Sequence, residues 1–329
     1  MFRRTSGRLG GALPIPLTQI LLSSCMVVKV SVCIPTYRRE DRLRSLLKDL
    51  MSQVTPPFDV VVVDNDASGS ARRIVDEARD SGCPFLLTYA IQPERSIPLT
   101  RNMSVRLAAG EWLAFVDDDE RAPREWLSRL LDCAIEHSAD GVLAPVEPRV
   151  PDSAPEWIRK GKFYDWPRIA TGTTVPRKNL RFGNLMLRGS AVRNLPGPFD
   201  PSFALSAGED VDMLVRFVSH GAKVVWCDEA PVWEPIEPKR LSLNWLLLRG
   251  YSGGQAFGRI QIAGTLGKVN LPMLLALPVR WTIQLLAALL VAATLWPFGR
   301  HLAVAWLIKA WANAGKLTAL AGRRYSAYA

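Results

Sequence analysis

From residue 28 onward the chain switches repeatedly between two hydrophobic patterns. Short continuous apolar runs at 28–34, 58–63, 84–90, 111–116, 141–146 and 222–227 have the length of buried strands. The segments between the first five runs repeat apolar residues at helical spacing. Leu43, Leu46, Leu47 and Leu50 set that period within 38–53, and 71–81, 99–109 and 123–136 continue it, the last with Pro123 in its first turn. Apolar strands regularly separated by helices predict an α/β fold, with a mainly parallel sheet covered by helices. Ligands of such sheets bind beyond the carboxyl ends of the strands. Two acidic groups fall at those ends: Asp64-Asn65-Asp66 after the second strand and Asp117-Asp118-Asp119-Glu120 after the fourth.

Past residue 146 the pattern loosens. Residues 147–178 are rich in Pro, Trp and charge and predict a long loop able to cover a substrate. A strand is expected at 181–187. Ala207-Gly208-Glu209-Asp210-Val211-Asp212 reads as a helix start with acids in its first turn. The stretch 271–296 is mostly apolar, and 302–321 predicts a second helix, amphipathic or apolar. Crossing a bilayer takes ~20 apolar residues, and Trp281 and Trp296 would suit the two interfaces. A transmembrane span and a hairpin lying in one leaflet both satisfy this pattern.

Charge sharpens the division of the chain. Of its 329 residues, 239–329 carry eleven Lys and Arg and no Asp or Glu, within a net charge of +10. Basic residues interleaved with long apolar stretches point to anionic membrane lipids, and no zinc-finger spacing or Arg-rich arm supports nucleic acid. The five cysteines form no CxxC pair and read as reduced thiols of a cytosolic compartment. Arg3, Arg4 and Arg8 precede an apolar stretch that Pro14 and Pro16 interrupt, which makes a poor signal peptide. Residues 1–25 are therefore expected to be a disordered or misassigned leader, 26–238 a catalytic domain and 239–329 a membrane-associating helical tail.

Four adjacent carboxylates repel one another unless positive charge sits among them. A helix cap would need one acid, not four. A hard divalent cation, Mg²⁺ or Mn²⁺, carrying a diphosphate is the simplest such partner, because it prefers oxygen ligands. The three scattered histidines offer no alternative metal site.

Val30-Ser31-Val32-Cys33-Ile34-Pro35-Thr36-Tyr37-Arg38-Arg39, Val62-Val63-Asp64-Asn65-Asp66-Ala67-Ser68, Leu99-Thr100-Arg101-Asn102, the triple Asp and Gly208-Glu209-Asp210 occur in one order. That order resembles the family 2 glycosyltransferases of the GT-A fold. With Val232-Trp233-Glu234 it is most similar to bacterial exopolysaccharide glucosyltransferases of the succinoglycan type. The resemblance implies an inverting transfer of a hexose, glucose from UDP-glucose, to a saccharide on a polyprenyl diphosphate. It also implies a catalytic domain on the cytoplasmic side of the bacterial inner membrane.

Roles for individual residues follow beside it. Pro35, Thr36 and Tyr37 are placed to hold the nucleoside, or form a plain strand-to-helix turn. Asp64 accepts from uracil or ribose, or closes its own loop. Arg101 steadies the base or diphosphate. Asp119 and Asp117 ligate the metal, Asp117 also reaching the donor sugar and Asp118 lying beside them. Glu234 stands where the family often has a His, as a third oxygen ligand. Asp210 is the expected base and Glu209 orients it or binds the acceptor. Arg240 and Arg249 serve the diphosphate or the lipid headgroups. Trp157, Trp166 and Trp233 are candidate sugar platforms. A nucleotidyltransferase lacks its usual Gly-rich basic loop here, and a non-catalytic adaptor has no reason to keep Asp119 and Asp210 together.

Overall fold

A computed structural model describes residues 28–267, 269–323 and 325. The expected leader, 1–25, lies outside the described residues. The elements in order are Val30–Thr36 (β1), Glu40–Met51 (α1), Asp59–Asp64 (β2), Arg72–Asp80 (α2), Leu86–Ile91 (β3), Ile97–Leu107 (α3) and Trp112–Phe115 (β4). Trp126–Glu136 (α4), Gly141–Leu143 (β5), Val146–Arg149 (β6), Glu156–Gly161 (α5), Leu185–Arg188 (β7), Gly189–Arg193 (α6), Glu209–Ser219 (α7), Val224–Trp226 (β8) and Val232–Pro235 (β9) follow. Leu243–Ile262 (α8), Leu271–Leu295 (α9) and Arg300–Leu320 (α10) form the tail.

Seven strands make one sheet in the order β3-β2-β1-β4-β7-β5-β8. Only β7 runs antiparallel to its neighbours. The other six therefore end at one edge. Alternate residues of each strand enter opposite cores, as the two-residue pleat requires. Val60 and Val62 join Leu43, Leu46 and Leu50 of α1 on one face, while Val61 and Val63 join Val105 of α3 and Leu214 of α7 on the other. All six residues of β2 are buried, which explains why the strands read as unbroken apolar runs.

Residues 147–178 are less irregular than expected. β6 begins the segment and pairs in parallel with β9, and α5 lies within it. A strand of four residues and a helix of six are too short to show a period. The strand expected at 181–187 begins only at Leu185, leaving 181–184 free to run along the sheet edge. Helix α8 was not anticipated, because Gly250, Gly253, Gly254 and Gly258 interrupt its apolar pattern. Three of those glycines let α10 approach closely. A Cβ on Gly254 would lie 2.0 Å from the Ala312 carbonyl oxygen, and one on Gly250 would lie 2.9 Å from that of Ile308.

Among the described residues, one helix, Leu271–Phe298, is long and apolar enough to cross a membrane. Its Leu277, Trp281, Ala288 and Ala292 are buried, while its opposite side exposes large apolar residues.

Candidate active site

The strand ends gather the acids and basic residues. β4 delivers Asp117-Asp118-Asp119-Glu120 as a tight turn in which the Glu120 amide donates to the Asp117 carbonyl (3.1 Å) and the Asp117 amide to Glu120 Oε2 (3.0 Å). Glu120 thus shapes the turn, and burial together with the Asp117 charge raises its carboxyl well above the usual range. Thr36, closing β1, donates through Oγ1 to Asp118 Oδ2 (2.8 Å).

Arginines relieve the crowding of carboxylates. Arg39 Nη1 reaches Asp118 Oδ1 at 2.8 Å and Asp119 Oδ2 at 3.0 Å. Arg42 Nη1 and Arg240 Nη2 donate to the same Asp119 oxygen at 3.3 and 3.1 Å. Arg42 also pairs with Glu237 at 2.6 Å, and Arg240 with Glu234. Even so, burial pushes the Asp118 carboxyl up to about 6 against the pull of Arg39. Arg39 and Arg42 were not singled out from sequence. Nothing local in the sequence marks them, because only the pairing of β1 with β4 brings them opposite the acidic run.

The second cluster joins α3 to α7. Arg101, buried with its guanidinium 4.0 Å from the Phe182 ring centre, donates to Glu209 Oε1 (2.6 Å) and lies 3.7 Å from Asp117 Oδ1. Burial and the neighbouring Asp210 raise Glu209 to about 7, opposed by Arg101. Asp210, the next residue, is half-buried and has no hydrogen-bond or ion-pair partner among the described residues. Its charge acts on Asp117, so it faces the β4 turn. Gly208 launches α7 at φ 114°, a left-handed conformation, and a Cβ there would sit 2.9 Å from Ala256 Cβ on α8. Arg259 of α8 donates to the Ala207 carbonyl at 2.6 Å. The tail helix therefore braces the loop that presents Glu209 and Asp210.

Other expectations meet mixed outcomes. Asp64 is fully buried, and its oxygens accept from the Asp66 amide (2.9 Å), the Ala71 amide (2.8 Å) and the Tyr89 hydroxyl (2.9 Å). Its geometry is that of a loop-closing carboxylate, the second of its two expected roles. Asp66 is held at about 2 by Arg38 and Ser68. Tyr37 stands between the guanidiniums of Arg38 and Arg95, 5.2 and 4.5 Å from its ring centre, and Pro35 leads into that turn. Arg249 lies over Trp245 at 5.2 Å, without an ion pair among the described residues. The three-carboxylate metal set is not assembled. Among the described residues no three His, Cys, Asp or Glu gather to hold an ion, and Glu234 is engaged by Arg240. Asp119 nevertheless suits a hard cation. Every guanidinium contact falls on its Oδ2, leaving Oδ1 unpaired among the described residues.

A mostly parallel sheet with charged groups beyond the carboxyl ends of its strands is an open α/β fold whose ligands bind at that edge, and the solved structures it resembles have the GT-A fold. A mannosyltransferase from Pyrobaculum calidifontis, in complex with GDP-Man and Mn²⁺, superposes with a TM-score of 0.57 over 89% of this chain and 74% of its own, at 18% identity. Staphylococcus aureus TarS residues 1–349, in complex with UDP, gives 0.51 over 91% and 93%, at 21% identity. The glycosyl transferase family 2 model matches residues 31–192. Succinoglycan biosynthesis protein ExoM of Rhizobium meliloti is 36% identical over 242 residues, 71% of this chain and 74% of that protein. The chain belongs to glycosyl transferase family 2 and is an enzyme, which sets aside the nucleotidyltransferase and adaptor readings.

Proposed function

We propose that the protein transfers a hexose, glucose from UDP-glucose, with inversion to a lipid-linked saccharide in exopolysaccharide synthesis. The likeness to ExoM supports the pathway class, and TarS in complex with UDP supports a uridine nucleotide. The observation that carries the mechanism is the contrast between Glu209, buried on Arg101, and Asp210, half-buried with no partner among the described residues.

Asp210 takes the proton of the acceptor hydroxyl as its oxygen bonds to the anomeric carbon, while the bond from that carbon to the diphosphate breaks. Arg101 fixes Glu209 and holds Asp117 nearby. Tyr37 and Thr36 border the nucleoside. Arg39, Arg42 and Arg240 supply the positive charge that a departing diphosphate needs. Asp119, through its unpaired oxygen, would hold Mg²⁺ or Mn²⁺ together with the donor phosphates, as one or two carboxylates commonly do. The metal would supply Lewis-acid stabilisation of the leaving group. Arg240 opens the basic, apolar tail, so the same segment that meets the diphosphate leads towards anionic lipids and a polyprenyl-linked acceptor. This supports a cytoplasmic face of the inner membrane.

Isothermal titration with UDP, with and without Mn²⁺, tests the donor side. Binding is expected to strengthen with Mn²⁺. Absent or metal-indifferent UDP binding overturns the donor assignment.

A further inference from the structure

Arg181 is the one described arginine that is buried, unpaired with any acid and outside both charge clusters. Its residue is 6% exposed, and its Nε and Nη2 are sealed from solvent with no hydrogen-bond partner. The guanidinium lies 4.9 Å from the ring centre of Trp166 and 5.1 Å from that of Trp226. Burial alone pushes it down to about 10, with no carboxylate acting in the other direction. Asp228, two residues after Trp226, pairs instead with Arg168 (2.7 Å), which also holds Glu147 (2.9 Å). Silent buried donors cost free energy unless a ligand satisfies them.

The position is not remote from the chemistry. Arg181 opens the 181–184 stretch along the ligand edge of the sheet. Its neighbour Phe182 stacks on Arg101, and a Cβ on Gly183 would lie 3.1 Å from Glu120 Oε1. Trp226 ends β8, three strands along from β4, a separation of roughly 14 Å at ordinary strand spacing. That suits a group on the acceptor beyond the sugar that is attacked. Trp166 is 47% exposed and is carried by the segment following α5, so its displacement uncovers the guanidinium without opening a core.

We propose that Arg181, flanked by the exposed Trp166 and the buried Trp226, is a subsite for an oxyanion of the acceptor, a carboxylate or phosphate group, beside the Trp166 ring, which stacks on sugar. The guanidinium fork would donate to it bidentately, and the two rings would hold the fork in place. This deepens the lipid-linked-saccharide reading by giving the acceptor a negative group at a fixed distance from the attacked sugar.

The test is calorimetric titration of the full chain with glucuronate and, separately, with inorganic pyrophosphate. Each is run on wild type, Arg181→Met and Arg181→Lys, with circular dichroism to verify folding. The readout is the difference between proteins, so anion binding at the Arg39–Arg240 cluster cancels. At least one anion is expected to bind wild type tenfold or more tightly than Arg181→Met. Arg181→Lys, which keeps the charge but loses the fork, is expected to weaken it severalfold, and it decides the matter if the Met variant does not fold. Preference for glucuronate places a sugar carboxylate there, and preference for pyrophosphate the diphosphate end of the acceptor. No binding, or equal binding by all three proteins, overturns the subsite. UDP titrated into the same samples reports the donor side separately, so UDP binding without an Arg181 effect sinks this proposal alone.

Discussion

Glu209 and Asp210 are adjacent carboxylates in opposite circumstances. Glu209 points into the protein and is paired with Arg101, whereas Asp210 has no partner among the described residues. Replacing Asp210 with Asn keeps the shape and removes the base. Transfer is expected to fall by about 10²–10⁴, with UDP affinity retained by calorimetry. Loss of both together would show a structural role instead. Glu209 makes a stability prediction. Its folded value of about 7 lies above the ordinary 4.5, so the folded state holds the proton more tightly. Its contribution is complete below pH 4.5 and is lost as pH rises through about 7. Glu209→Gln should therefore melt at a pH-independent offset from wild type above pH 7 and lessen the decline expected of wild type between pH 5 and pH 7. An unchanged slope would refute the assignment.

At the scale of elements, the strand series was legible because β1, β2, β4, β5 and β8 are buried on both faces and the covering helices show their period. The triple Asp and the Glu-Asp helix start were legible because their acids stand at strand and helix ends. The arginines that neutralise them were harder to see. Arg39 and Arg42 meet Asp119 only because β1 pairs with β4, a contact with no local sequence signal. Arg181 looked like an ordinary strand residue, and α8 was hidden by the glycines that make it pack. Those glycines give an internal control. Gly254→Ala drives a Cβ into the Ala312 carbonyl, 2.0 Å away, and overpacking of this kind costs about 1–3 kcal/mol. Gly253→Ala meets nothing within 4 Å and should be neutral or stabilising by up to ~1 kcal/mol. In thermal melting Gly254→Ala should fall below wild type, while Gly253→Ala should not. Because α8 braces Ala207 and Gly208, Gly254→Ala should also lower the transfer rate, while Gly253→Ala should not.

The whole molecule is asymmetric in charge and in apolar surface. Leu271, Leu275, Val279, Ile283, Leu286 and Leu290 are all at least 60% exposed on one side of α9. From first to last they extend about 28 Å at the helical rise, close to the ~30 Å of a hydrocarbon core. Side chains of that size left in water carry a large hydrophobic cost, which insertion into lipid removes. The opposite side of α9 packs through Trp281, Ala288 and Ala292, and its neighbour α10 carries Lys309 and Lys316. Lysines at the bilayer centre cost about 2.5–3.5 kcal/mol each, so the arrangement favours seating the outer face of α9 in lipid with α10 behind it. The full chain should float with vesicles containing anionic lipid and stay bound at high salt, since the attachment is mainly apolar. Ile283→Lys with Leu286→Lys places two charges in the middle of that face. The double variant should bind only at low salt, through the eleven basic residues of 239–329. Salt-resistant flotation of the double variant would show that α9 is not the attachment surface.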